Sequence, residues 1–283
     1  MDMRSLENHA INEWGLNHIT NPFFKALRDA QIRNKFEVSP LDVQWNITPL
    51  INSVCRADDS QHLKFLMFKA FVGDLSDFDS VIEQLLDQHT KQSNFVSNMY
   101  NSLINGIETD DKDYMIIECE KTAYTGLIAN KLRDYYNKNI LLVHKEGDEY
   151  KGSCIAYCDL LNPLNQSGLM TICAGHNEVF GIGWKIKDTE KLGMYLDTLD
   201  LTPDPQSVIL SYSGETIPQS LFDLSERYSA MWGTNVPKPT VSFRIPLNDI
   251  DIKLIGGGHT LKFIYDDMDF IKFRISNRDK AIS

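Results

Sequence analysis

Apolar residues recur at helical spacing over the first third of the chain and in short strand-like runs over much of the rest. A helix is predicted around Leu6 to Ile19, a Pro-broken stretch at Asn21-Pro22-Phe23-Phe24, and a second helix through Ala26 to Ile32. Another helical pattern spans Asp59 to Phe71. Asp77 opens a long amphipathic segment, with Phe78, Val81, Ile82, Leu85 and Leu86 at helical spacing. Phe95, Met99 and Leu103 continue it to a stop at Gly106. A helix of that length is read as a connector between two lobes, with a core helix as the other reading.

After Asp113 the pattern changes. Tyr114 to Cys119 reads as a buried strand, Gly126 to Tyr136 as a helix and Ile140 to Val143 as a second strand. Strand, helix and strand within about thirty residues make a βαβ unit, which implies a parallel pair in a covered sheet. Lys151 to Cys158 is predicted as a third strand and Val179 to Ile186 as a fourth, before a break at Pro203 and Pro205. Short alternating runs then follow at Val241–Ile245, Ile250–Ile255, Leu261–Tyr265 and Phe270–Ile275, the spacing of a small antiparallel barrel. The fold class is α/β.

Composition narrows the picture. The chain has 283 residues, 42% hydrophobic and 24% charged, an ordinary globular mixture. No apolar run reaches the roughly 18 residues of a membrane span, and the N-terminus shows no apolar signal core. The protein is read as soluble and cytoplasmic, without a membrane partner. Its five cysteines have no framework spacing; Cys154 and Cys158 lack a second ligand pair for zinc. The net charge of −11 argues against a nonspecific nucleic-acid coat. From Gln219 onward the balance is closer to even, which leaves room for a local basic groove.

Candidate chemistry lies in three stretches. Thr171-Ile172-Cys173-Ala174-Gly175-His176 ends in a Gly-His pair, where a small residue admits a phosphate and an imidazole can donate to it. Lys151-Gly152-Ser153 offers a hydroxyl and backbone N–H groups to an anion. Asn52-Ser53-Val54-Cys55-Arg56, after Pro49, places an amide and a guanidinium within one turn, as a phosphate contact needs. Taken singly, each has a plain structural counterpart: a turn, a turn into a strand, and an Asn cap beside a surface Arg.

Together, in this order around a βαβ unit, these stretches resemble the DHH phosphoesterases, and within them the RecJ-type single-strand exonucleases. The family's substrate-binding domain carries Gly-x-x-Ala-x-x-Leu on a helix, matched by Gly126, Ala129 and Leu132. A Gly-Ser strand is matched by Gly152 and Ser153, and a Gly-Gly-His element by Ala174-Gly175-His176, with Gly181 further on. Upstream, Pro49, Asn52 and Arg56 match a Pro-x-x-Asn-x-x-x-Arg segment. Downstream, Trp232-Gly233-Thr234-Asn235-Val236-Pro237-Lys238-Pro239 looks like a worn copy of the segment leading into an oligonucleotide-binding barrel. Gly256-Gly257-Gly258-His259 is the better literal match to the glycine–histidine signature, but its position makes it a barrel hairpin.

The resemblance implies four parts: residues 1–58 as the tail of the DHH catalytic domain, 59–106 as connector helices, 107–202 as the α/β substrate-binding domain with a mixed sheet, and 203–283 as an OB-like barrel. It implies that Asn52, Arg56, Gly152, Ser153, Gly175 and His176 hold substrate phosphate, with Arg56 and the Gly175/His176 corner converging on one cleft. Trp232, His259 and Lys262 would touch nucleic acid. Catalysis in such enzymes resembles two-metal hydrolysis with Mn2+ or Mg2+ on a cluster of Asp and His. No Asp-His-His run occurs here, and Met1-Asp2-Met3-Arg4 resembles the stretch just after the last metal-binding aspartate. The chain is therefore expected to carry no catalytic or metal residue. It is read as one piece of such an exonuclease, either a separately encoded half or a truncated form, that holds single-stranded DNA near a metal site supplied by another chain carrying the DHH half. Ile155, where the family often has Arg, and Ala174, for the first glycine, depart from the pattern. A non-catalytic single-strand-binding or regulatory protein is the alternative. A small-substrate phosphodiesterase fits less well, because such relatives lack the barrel.

Overall fold

In the computed structural model, the proline expected to break the chain at position 22 instead opens a helix. The structure describes residues 3–32, 38–57, 59–107, 110–201, 210–212, 217–233, 236, 240–243, 245–246, 250–256, 258, 260–273 and 275. They pack as two compact units, Met1–Asn94 with Ser207–Arg244, and Phe95–Gln206 with Ile245–Ser283.

The first unit is mainly helical. Helix α1 (Leu6–Asn17) begins at a Ser5 cap whose side chain accepts from the Asn8 N–H. Helix α2 (Pro22–Gln31) starts on Pro22, since a first-turn residue needs no internal N–H bond, and the Asn21 side chain caps it by accepting from Phe24. Helix α3 (Pro40–Asp42) runs through a π turn at Val43–Ile47 into α4 (Thr48–Arg56), a helix the hydrophobic pattern did not reveal. Helix α5 (Gln61–Val72) stops at Gly73 in the left-handed conformation, with φ of +85°. Helix α6 (Phe78–Ile104) is the long amphipathic segment, 27 residues. Phe23, Leu27, Leu50, Val54 and Leu85 form the buried centre of this unit.

The second unit is built on a mixed sheet. Strand β1 (Tyr114–Glu118), helix α7 (Thr125–Tyr136) and strand β2 (Asn139–Glu146) form the expected βαβ unit, with β1 and β2 parallel. Strand β3 (Glu149–Ile155) returns antiparallel, followed by α8 (Leu161–Gln166), β4 (Met170–His176), β5 (Val179–Lys185) and α9 (Thr189–Leu196). The spatial order is β1-β2-β3-β5-β4. Strand β2 is apolar without alternation because both of its faces are covered; Ile140, Leu141, Leu142 and Val143 are fully buried. One face packs Leu141, Val143, Cys154, Phe180 and Trp184 against α8 and α9 residues such as Leu164 and Leu192. The other packs Ile117, Ile140, Leu142 and Ile155 against Ile128, Ala129 and Leu132 of α7 and Val96 of α6.

The C-terminal stretch provides β6 (Leu210–Tyr212), α10 (Ser220–Arg227), β7 (Val241–Phe243), β8 (Lys253–Ile255), β9 (Thr260–Tyr265) and β10 (Met268–Phe273). Strands β6 and β7 pair in parallel, while β8, β9 and β10 form an antiparallel meander. Among the described residues no pairing closes these strands into the expected barrel. The Pro203 and Pro205 break lies outside the described residues.

Candidate functional site

Helix α7 owes its position to Thr125, Ile128, Ala129 and Leu132, which recur along one stripe and are buried on the sheet. Its first residue meets Ser153 of β3: Thr125 Oγ1 and Ser153 Oγ lie 2.8 Å apart. Gly126 stands beside them, and a methyl group there would sit 3.5 Å from Ser153 Oγ, an ordinary contact. The Leu127 and Ile128 N–H groups bond to Tyr124 O, so the N–H groups of Thr125 and Gly126 precede the helix's internal ladder. A hydroxyl pair and a helix N-terminus thus share one corner, favourable for an anion.

Alternation along the strands fixes what shares that face. Ser153 pairs with Gly181 and Gly181 with Ala174; one row along, Ile155 pairs with Val179 and Val179 with His176. Directly opposed residues point to the same side. Ser153, Gly181, Ala174 and His176 therefore line the α7 face, over roughly two strand spacings, about 10 Å. Beyond α7 that face is open: His176 is exposed, and Val179 and Ile172 are 48% and 40% exposed.

Two expectations change in detail. Lys151, Gly152 and Ser153 lie inside β3, paired on both sides, so their backbone N–H groups belong to the sheet and the Ser153 hydroxyl is what remains for a ligand. Gly175 and His176 end strand β4 rather than forming a turn, and Asn177-Glu178 is the turn. Gly175 has φ of +150°, and a Cβ there would fall 2.7 Å from Phe180 Cα. A Cβ on Gly152 would fall 2.0 Å from Leu142 O. Both glycines are required by neighbouring strands.

At the carboxyl ends of the parallel pair β1 and β2 lies an open cavity of about 800 Å3, bounded by Phe95, Met99 and Leu103 of α6 and by Cys119, His144 and Lys145. Parallel sheets commonly place ligands at this end. His144 pairs with Lys151 across the sheet, which puts it on the same face as Ser153. Burial, and then the nearby Lys121, push its pKa below the ordinary histidine value, and its Nδ1 has no hydrogen-bond partner among the described residues. Burial raises the Cys119 thiol to about 11, so it is neutral at physiological pH. Glu146 is held below the usual carboxylate range by Lys121 and Lys151, at 3.6 and 3.7 Å. Sequence reasoning missed Thr125, His144 and this cavity. The signal for Thr125 was a hydroxyl residue directly before the helical Gly126, in the loop between the first strand and the helix of the βαβ unit.

The other candidates belong to other elements. Asn52 and Arg56 belong to the first unit, one turn apart on α4, with Asn52 half-buried and Arg56 exposed. The end of α4 is secured by Ser60 Oγ donating to Val54 O at 2.7 Å and by Lys64 Nζ donating to Ala57 O at 2.8 Å. Trp232 is half-buried in the same unit. Lys262 is ion-paired with Asp269 at 2.9 Å. His259 lies outside the described residues. Among the described residues no three His, Cys, Asp or Glu side chains converge as metal ligands, and no helix is long and apolar enough to cross a membrane.

No family model matches the chain. It is 23% identical over 316 aligned residues to a protein of Bacillus subtilis (strain 168) named as an SPbeta prophage-derived single-strand DNA-specific exonuclease, YorK. The match to the same-named protein of Bacillus phage SPbeta is equal, and both cover 96% of this chain. The chain spans about half, 54%, of the length of these relatives. Its fold matches RecJ from Thermus thermophilus in complex with Mg2+, with TM-score 0.65, 14% identity, and coverage of 95% of this chain and 43% of that one. The Mn2+ complex of the same RecJ matches equally, with 41% of that chain covered. In sequence this chain is similar to proteins named as single-strand DNA-specific exonucleases, and in fold it is similar to RecJ.

Proposed function

We propose that this chain is the substrate-holding part of a cytoplasmic single-strand DNA exonuclease of the RecJ kind. The observation that carries the reading is the Thr125–Ser153 hydroxyl pair at the opening of α7, on a sheet face left open beyond that helix. It stands in a chain similar over nearly its whole length to proteins named as such exonucleases.

In this reading Ser153, Thr125 and the first amides of α7 donate to a backbone phosphate, and His176 donates to a neighbouring one across the floor of Gly181 and Ala174. Gly152 and Gly175 serve by letting the strands close beneath them. Asn52 and Arg56 add phosphate contacts from the helical unit. Trp232, His259 and Lys262 guide the strand through stacking and charge, Lys262 exchanging Asp269 for a phosphate, within an OB-like barrel. Bond cleavage requires divalent ions, Mn2+ or Mg2+, to activate water and stabilise the leaving oxygen. Among the described residues no group of three His, Cys, Asp or Glu fits such a site. In this reading the ions belong to the DHH catalytic domain, carried by another chain.

The test is fluorescence anisotropy of a 5′-labelled oligothymidylate with unlabelled duplex as competitor. The single strand should bind, and Ser153→Ala with Thr125→Val should weaken it severalfold. Addition of a DHH-bearing chain with Mn2+ should then release nucleotides. A chain that retains no single-stranded DNA, or that binds it equally well without both hydroxyls, would rule the reading out.

A further inference from the structure

The cavity at the ends of β1 and β2 has a lining unsuited to a phosphate. Lys145 lies 3.1 Å from Glu118 and Lys121 3.6 Å from Glu146, so its cations are already paired, and Glu120 adds another negative charge. Cys119 and His144 add no charge near neutral pH.

One wall, by contrast, is aromatic and apolar. Phe95, Met99 and Leu103 follow one another at four-residue intervals on α6, with the uncharged Asn98 and Ser102 beside them. Phe95 stays 41% exposed, yet its ring is set against Tyr124 at 5.7 Å and 64°. A fixed, exposed ring flanked by an amide and a hydroxyl is the surface that a flat heterocycle with polar edges stacks on.

The cavity also lies at nucleotide distance from the hydroxyl corner. Tyr124 immediately precedes Thr125. His144 on the cavity floor is the diagonal neighbour of Ser153 across β2 and β3, a separation of about 7–8 Å.

We infer that this cavity receives one unstacked base of the bound single strand, with Phe95 as its stacking partner. The inference rests on the proposed role of Ser153 and Thr125 in holding the adjoining phosphate. A base carries no charge, so an aromatic and apolar wall is what such a pocket needs, and it is sequence-tolerant because every base has a π face.

The experiment uses the full chain with a labelled oligothymidylate over a series of salt concentrations. Phe95→Ala should raise Kd about tenfold or more, while Phe95→Trp keeps affinity. The slope of log K against log salt should not change, because no phosphate contact is removed. With the unsubstituted chain, 5-iodouracil placed along the oligonucleotide should photocross-link to Phe95 or Tyr124, mapped by mass spectrometry. Wild-type affinity in Phe95→Ala, a changed salt slope, or the absence of any cross-link to Phe95 or Tyr124 along the whole series would overturn the inference. If Ser153→Ala weakens binding while Phe95→Ala does not, the base pocket alone fails. If the unsubstituted chain binds no single strand, the reading it rests on fails with it.

Discussion

Two glycines on adjacent strands should respond to the same substitution in opposite ways. A methyl added at Gly152 would stand 2.0 Å from Leu142 O and 2.8 Å from Val143 Cα. Those atoms belong to β2, whose residues Ile140 to Val143 are fully buried between two packed layers, so the strand has nowhere to retreat. Overpacking of this kind costs about 1–3 kcal/mol, and a contact with backbone belongs at the upper end. Replacing glycine in a strand recovers about 0.5–1 kcal/mol of unfolded-chain entropy. The net loss for Gly152→Ala is then about 2 kcal/mol or more. With a urea slope of about 1–3 kcal/mol per molar, the unfolding midpoint should fall by about 1 M. At Gly181 the same methyl meets Ala174 O at 3.7 Å, an ordinary contact, and projects from the open face. Gly181→Ala should leave the midpoint nearly unmoved and weaken single-strand binding. Urea titration followed by the fluorescence of the fully buried Trp184, with oligonucleotide anisotropy alongside, measures both. An unchanged midpoint in Gly152→Ala would refute the packing argument. Unchanged binding in Gly181→Ala would refute the face assignment.

Three further outcomes follow from the second unit. Ser153→Ala strands the buried Thr125 hydroxyl and should lower stability by about 1 kcal/mol, whereas Ser153→Ala with Thr125→Val should recover part of it; additive losses in thermal melts would contradict the pairing. His144 has a folded pKa below its unfolded value near 6.5, so the unfolded chain takes the proton first. Stability should therefore decline as pH falls below about 6.5, by at most about 1.4 kcal/mol per pH unit for one proton, and His144→Gln should flatten that limb of a denaturation–pH series. Iodoacetamide should label the exposed Cys55 first and spare Cys154, whose thiol is fully buried and shifted upward by burial; native-state labelling of Cys154, read by mass spectrometry, would contradict the core assignment.

What the sequence disclosed depended on whether burial imposed a period. Helix α6 was legible because Val81, Ile82 and Leu85 must be buried on one stripe, and β2 because both faces are covered. Strand β4 was not, since it is an edge strand with Thr171, Ala174, Gly175 and His176 exposed, so nothing forced alternation. Helix α4 was hidden by the π turn before it, which shifts the helical phase, and by Pro49 in its first turn. Ser153 was legible as a Gly-Ser pair on a strand. Its hydroxyl partner is 28 residues away in sequence, and only the strand pairing brings Thr125 to it. His144 went unnoticed because a polar residue at the end of an apolar run reads as the strand's exit, whereas here it is buried on the cavity floor.

In the proposed function, an acidic chain has to hold a polyanion. Lysines around the hydroxyl corner are already engaged: Glu146 alone lies within 4 Å of Lys121, Lys151 and the His144 imidazole, at 3.6, 3.7 and 3.8 Å. Such exposed pairs contribute only about 0–1 kcal/mol each, so an arriving phosphate can take over a lysine at little expense. The displaced carboxylate remains nearby, however, and its repulsion cancels much of what the lysine gains. Uncharged donors carry no such penalty. The hydroxyls of Ser153 and Thr125 and the first amides of α7 are such donors, and in the proposed function they offer hydrogen bonds that only a closely seated backbone can reach. Glycine at 181 and alanine at 174 keep the floor low enough for that seating. A net charge of −11 and the proposed nucleic-acid substrate are therefore compatible on physical grounds: acidity disfavours loose association with duplex, whereas a grip of the proposed kind would depend on shape and hydrogen-bond donors.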